Sequence, residues 1–213
     1  VFRGLHQPLS VETLPEPVAG PGEVVLRVEA CGICGSDLHA TDDGVFLQAP
    51  GTVLGHEFAG QVVASGDPAV PVGLRATAVP VNACDACREI GECRHGLGIL
   101  CPDNRITGHR DGRQVGPLPD GVGFEQGAMV EPLAVGLHAV TKADLPLGAR
   151  VLVIGAGPIG LSVTAFARLR GAGRVVVSER APARRAAAEA FGASTVLDPS
   201  ATAELGGRGG VEN

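Results

Sequence analysis

The stretch "RVLVIGAGPIG", Arg150 to Gly160, decides how the last third of the chain is read. It joins a continuous apolar run to a glycine-rich turn. An apolar run without alternation is the pattern of a strand buried on both faces of a parallel sheet. The turn sets Gly155, Gly157 and Gly160 at G-x-G-x-x-G spacing, a weak signal by itself in a chain with 32 glycines. Its surroundings give it weight. A strand precedes it, and "PIGLSVTAFARLRG" follows with Pro158 at the first helical position and Gly171 past the end. "RVVVSE" then reads as a second buried strand and "PARRAAAEAFG" as a second helix, with Ala183, Ala186, Ala187, Ala190 and Phe191 on one face. "STVLD" supplies a third strand. Strand, helix, strand, helix, strand is the parallel α/β pattern.

Strand, glycine turn and helix in that order predict a dinucleotide site. Gly155 permits the turn, Gly157 lets the backbone approach a pyrophosphate, and Gly160 lets helix and strand pack closely. The turn through Gly157, Pro158 and Ile159 then faces the phosphates at the positive end of the helix. Glu179 stands 19 residues after Gly160, where an acid bonds the ribose hydroxyls. A carboxylate there favours NAD over NADP. Arg180 and Arg184 pull the other way, since either can hold a ribose phosphate, and Glu179 can also be read as a solvated strand end.

Working outward, the preceding region reads as short strands broken by Gly/Pro turns: "EVVLRVEA" (Glu23 to Ala30), "FAGQVVASG" and "RATAVPV". That style predicts an irregular β-barrel or sandwich. "EQGAMVEPLAVGLHAV" (Glu125 to Val140) turns helical, with Pro132 as a kink or a new start. The resulting division is 1–143 and 144–213, with a cysteine-rich lobe at 84–101. Hydrophobic residues are 45% of the chain, enough for a core. A net charge of −6 gives no reason to expect nucleic acid or an anionic membrane, and Trp and Tyr, the stacking residues of single-strand binders, are absent. No long uncharged apolar run and no basic-then-apolar leader occur, so the expected location is cytoplasmic.

Six cysteines in such a chain read as metal ligands or thiols rather than as a disulfide framework. "CGICGSDLH", Cys31 to His39, holds Cys31 and Cys34 at thiol-exchange spacing, but it follows a strand of a β-rich region, which disfavours a thioredoxin-like redox pair. "GHEFAG" adds His56 and Glu57. A soft thiolate, an imidazole and nearby carboxylates suit an open zinc site. Ser36 and Asp37 can alternatively be helix caps and His39 a solvent-exposed residue. Cys84, Cys87, Cys93 and Cys101 lie within eighteen residues as C-x2-C-x5-C-x7-C, a candidate closed zinc site, with reduced thiols as the other reading.

In this order, "CGICGSDLH", "GHEFAGQVV", "EPLAVGLHAV" and "VLVIGAGPIGL" resemble the zinc-containing medium-chain dehydrogenase/reductase family, closest to its polyol, butanediol and threonine dehydrogenase branches. The likeness runs over nearly the whole chain. It implies a GroES-like catalytic β-barrel followed by a Rossmann doubly wound domain. It implies Cys34, His56 and Glu131 as catalytic zinc ligands, with Cys31 not a ligand and Glu57 coordinating directly or alternating with water. Asp37 would orient His56, and Ser36 and His39 match the family's proton relay. The implied reaction is hydride transfer between a secondary alcohol or polyol and NAD(P), in a homo-oligomer. The four-cysteine lobe matches the family's structural zinc site, with three residues more between its second and third cysteines.

Two departures are expected to matter. "RQVGPLPDGV" follows "RITGHRDG" directly, where the family has a further strand. The chain also stops after about half of a doubly wound sheet, so an incomplete copy is expected, inactive alone and with apolar sheet surface uncovered. A non-catalytic zinc-binding relic of such a dehydrogenase is the alternative, and thiol redox chemistry a distant third.

Overall fold

The computed structural model describes residues 1–42, 49–82, 105–106 and 115–201. The chain divides into two compact units, Val1–Glu131 and Pro132–Asn213. The candidate structural zinc ligands Cys84, Cys87, Cys93 and Cys101, and the tail "ELGGRGGVEN", lie outside the described residues.

In the first unit, β1 (Val24–Gly32), β2 (Glu57–Ser65), β3 (Arg75–Ala78) and β6 (Val115–Pro117) form an antiparallel sheet in the order β1-β2-β3-β6. β4 (Val81–Asn82) and β5 (Arg105–Ile106) make a separate pair. "RATAVPV" is therefore two strands in two sheets. Pro80 has no N–H to continue the ladder, so the strand ends before it. β6 comes from "VGP" within "RQVGPLPDGV" and pairs with β3. Helix α1 (Gly35–Asp42) follows β1. Helix α2 (Phe124–Ala128) sets Ala128 and Phe124 against Ala59 and Leu118, and a cation–π contact holds Arg75 over Phe124 at 4.8 Å.

Helix α3 (Val130–Ala143) starts two residues before Pro132. The break precedes it at Met129, which caps α2, and Pro132 occupies the first turn of α3, where no intrahelical N–H is required. Pro132 is a start signal and not a kink.

The second unit is built on the parallel sheet β7 (Arg150–Ile154), β8 (Arg174–Ser178) and β9 (Thr195–Leu197), in that order. Helices α4 (Pro158–Leu169) and α5 (Pro182–Ala190) are its crossovers. Val153, Val175 and Val177 point to one face, where they pack with Val140, Ala167 and Ala188. The opposite face is not buried: Leu152 is 61% and Ile154 84% exposed. The apolar run suits a strand covered on both sides, and here one face alone makes the core, in line with the expected uncovered apolar sheet surface. A strand's side chains alternate, so Arg150, Leu152 and Ile154 share an open face with Arg174, Val176, Ser178 and Leu197.

α5 also differs from its expected face. Ala183, Ala186, Ala190 and Phe191 are exposed, and Ala188 is the buried residue. Alanines on every side give the pattern no preferred face. Polar contacts set the rotation: Arg185 donates to the Glu179 and Arg180 carbonyls and pairs with Asp198 at 2.8 Å.

Candidate metal centre and dinucleotide turn

β1 and β2 run antiparallel in a register that ends with Cys31 opposite Phe58 and Gly32 opposite Glu57. The chain leaving β1 and the chain entering β2 are therefore neighbours. That places Cys34 beside His56 although 21 residues separate them in sequence. Ligand atoms of Cys34, His56 and Glu57 all lie within 4.8 Å of one another, the one such group among the described residues. Glu57 is the most buried of the three, at 9% exposure.

Asp37 organises the group. It sits in the first turn of α1, where an acid suits the helix dipole. Its Oδ2 accepts the Cys34 amide at 3.0 Å, and its Oδ1 lies 3.5 Å from His56 Nδ1. One carboxylate thus ties the two ligand segments together and turns His56 Nε2 away from itself. The Ser36 hydroxyl is 3.5 Å from that Nε2. His39 is exposed on the same helix.

Glu131 stands outside the three-residue group but close to it. Burial pushes its carboxyl up from the ordinary range, with the nearby Glu57 charge adding and His56 partly offsetting. A half-buried acid beside an imidazole, a thiol and a second carboxylate is a donor set that one cation would neutralise. Cys31 takes no part in the group. A Cβ placed on Gly55 would come 2.8 Å from its sulfur, so the thiol packs on the turn that presents His56. Partial burial, with Asp37 and Glu57 near, pushes the Cys31 thiol up and keeps it protonated.

In the second unit, Gly155 has φ +94°, which favours glycine. A Cβ on Gly160 would overlap the Gly155 carbonyl oxygen and lie 2.9 Å from its carbon. A Cβ on Gly157 would meet nothing within 4 Å, so the backbone there is open to a ligand. Gly157 caps α4 and Pro158 begins it. Glu179, 8% exposed, accepts the Ala156 and Ala181 amides at 2.8 Å each. Those bonds, Ala181 first, hold its carboxyl below the usual range. Arg180 and Arg184 are exposed. A glycine cradle beside a fixed, ionised acid is what a dinucleotide's pyrophosphate and ribose require.

Sequence reasoning missed the part played by Gly32. A Cβ there would overlap Glu57 Oε2 and sit 3.1 Å from Glu57 Cβ. The glycine lies inside the quoted cysteine motif, but its meaning depends on the β1–β2 register.

Residues 20–146 match the alcohol dehydrogenase GroES-like domain family. The chain is 36% identical over 208 residues to sorbitol dehydrogenase of Bacillus subtilis (strain 168), covering 89% of this chain and 58% of that protein. Among solved structures, 2R,3R-butanediol dehydrogenase from Bacillus subtilis aligns with a TM-score of 0.79 at 32% identity, covering 93% of this chain and 62% of that one. A Sinorhizobium meliloti 1021 protein described as a zinc-binding dehydrogenase, bound to NADP, aligns with a TM-score of 0.78 at 38% identity, over 88% of this chain and 57% of that one. A GroES-like β unit whose thiol, imidazole and carboxylate could hold one metal ion, followed by a Rossmann-like parallel sheet, defines a class, and the chain belongs to it: the zinc-containing medium-chain dehydrogenase/reductase family. It spans somewhat more than half the length of the relatives it matches. Among the described residues, no helix is long and apolar enough to cross a membrane.

Proposed function

We propose that the chain carries the zinc and adenosine-side binding parts of an oxidoreductase that moves hydride between a secondary alcohol or polyol and NAD(P). The observation that carries this reading is the convergence of Cys34, His56 and Glu57 under the control of Asp37. Cys34 and His56 would hold zinc, with Glu131 as the third ligand and Glu57 able to enter the set. A zinc ion held there would supply Lewis acidity that lowers the pKa of an alcohol, and a bound nicotinamide would supply the hydride acceptor. Ser36 accepts the alcohol's proton as its own passes outward, and the exposed His39 carries it to solvent. Asp37 holds His56 in the tautomer that leaves Nε2 toward the cluster.

Gly155, Gly157, Pro158, Ile159 and Gly160 would cradle the pyrophosphate. Glu179 reads the ribose hydroxyls and favours NAD, with Arg180 and Arg184 as the residues through which NADP would compete. Cys84, Cys87, Cys93 and Cys101 would hold a second, structural zinc. The working form is a cytoplasmic homo-oligomer without nucleic-acid or membrane partners.

The test is metal analysis with cobalt substitution. Two metals per chain are expected, one lost in Cys34→Ser together with its sulfur-to-cobalt charge-transfer absorption, the other lost in Cys93→Ser. A chain that binds cobalt equally well with and without Cys34 overturns the metal centre.

A further inference from the structure

Gly32 has an ordinary backbone conformation, not a left-handed one, so an L residue could adopt its φ and ψ. Space is what excludes a side chain. Gly32 is the last residue of β1 and faces Glu57, the first residue of β2. A Cβ on Gly32 would overlap Glu57 Oε2, lie 3.4 Å from its Cδ and 3.1 Å from its Cβ. Directly opposed residues of antiparallel strands normally keep their Cβ atoms about 4.5–5.5 Å apart. The strands therefore approach here more closely than two side chains allow. Gly35, on the other side of Cys34, is different: nothing lies within 4 Å of its Cβ position. Of the two glycines that flank Ile33 and Cys34, the steric demand falls on Gly32.

We infer that Gly32 is a positioning residue whose bare Cα forms the slot in which the Glu57 carboxylate rests, so that it fixes where Glu57 stands relative to Cys34 and His56. This rests on the metal-centre reading above. Glu57 is buried, and its ligand oxygen lies within 4.8 Å of the Cys34 and His56 donors. The overlapping atom is the end of a flexible side chain, so Gly32→Ala is absorbed by rotating that carboxylate out of its slot, while the tight Cβ contact asks for a small parting of the strand ends. The consequence is chemical as well as structural, because a displaced carboxylate no longer contributes to the cluster in its native geometry.

The experiment is a double-mutant cycle on the full 213-residue chain, with Gly32→Ala, Glu57→Ala and the double variant, read by Co2+ titration and by the absorption spectrum of the cobalt-loaded protein. Mutations that disturb the groups around metal ligands typically cost about 10–100-fold in affinity. Gly32→Ala is expected to weaken Co2+ binding about 10-fold and to change the ligand-field bands. Once Glu57 is alanine, adding Gly32→Ala is expected to have a much smaller effect on both, because the carboxylate it displaces has gone and only the tight Cβ contact remains. An unchanged spectrum in Gly32→Ala, or an equal loss of affinity in both backgrounds, overturns the inference. If Gly32→Ala fails to fold, recovery of folding in the double variant supports the slot, and failure of both overturns it. Absence of Co2+ binding by the unmutated chain is a separate result that removes the metal centre and this inference with it.

Discussion

The two glycines Gly157 and Gly160 sit three residues apart in one turn, yet replacing each by alanine should do opposite things. At Gly160 the added methyl would overlap a backbone oxygen and lie 2.9 Å from the Gly155 carbon. Backbone cannot swing aside, so α4 must part from the turn. Overpacking costs about 1–3 kcal/mol, and a backbone obstacle places Gly160→Ala near 3 kcal/mol. That is about a 100-fold loss in the folding equilibrium. With a urea dependence of about 2 kcal/mol per molar, the midpoint of the second unit should fall by about 1.5 M. At Gly157, φ is −73° and the Cβ position is empty to 4 Å. Reduced freedom of the unfolded chain favours alanine by about 0.4–1 kcal/mol. The poorer capping of alanine costs about as much. Stability should then change by less than about 0.5 kcal/mol, while the methyl stands where a pyrophosphate would lie and weakens dinucleotide binding at least about 10-fold. The chain has neither Trp nor Tyr, so unfolding is followed by far-UV circular dichroism and NADH binding by its own fluorescence, free of protein emission. Equal destabilisation by the two substitutions, or full NADH binding by Gly157→Ala, would refute the assignment of separate packing and ligand roles.

Two further outcomes follow from the second unit. Glu179 is held below the usual carboxylate range by the Ala181 and Ala156 amides, so its contribution to stability is present above the unfolded pKa and is lost as pH falls through the lower, folded value. Melting temperatures measured over a series of acidic buffers should drop in that window, and Glu179→Gln should lower the neutral-pH value and flatten the drop; a parallel curve would exclude Glu179 as its source. The open sheet face carrying Leu152 and Ile154 should bind the dye ANS. Ile154→Thr, at 84% exposure, should reduce that binding with little change in melting temperature, and undiminished dye fluorescence would locate the apolar surface elsewhere.

The order of elements was legible because its signals are local. Apolar runs, Pro158 at a helix start and the glycine spacing each depend on a few consecutive residues, and all three reappear in β7, α4 and the turn between them. What was not legible depends on partners. An apolar strand has the same sequence whether one or both faces are covered, so uncovered apolar sheet surface was expected, but that Leu152 and Ile154 carry it had no signal in the run itself. The alanines of α5 left its rotation to Arg185 and Asp198, a contact 13 residues apart in sequence. Pro80 was a local signal of another kind, a strand breaker that the apolar character around it outweighed in the reading.

The candidate metal centre shows how the two kinds of information combine. The residue types in "CGICGSDLH" and "GHEFAG" give the chemistry, but neither segment can assemble a cluster alone. Antiparallel pairing of β1 with β2 supplies the missing geometry, since it brings the exit of one strand to the entrance of the other. A slip of one residue would turn Glu57 to the opposite face of β2 and move Gly32 out from under it. The β1–β2 ladder already shifts register between Val25 and Leu26 and between Val28 and Ala30. Such bulges re-aim the residues beyond them, so the Gly32–Glu57 pairing depends on both. Asp37 then binds the Cys34 amide on one side and faces His56 on the other. The donor atoms are thus fixed by a strand register, one carboxylate and one missing side chain, and each of the three can be altered without touching a ligand.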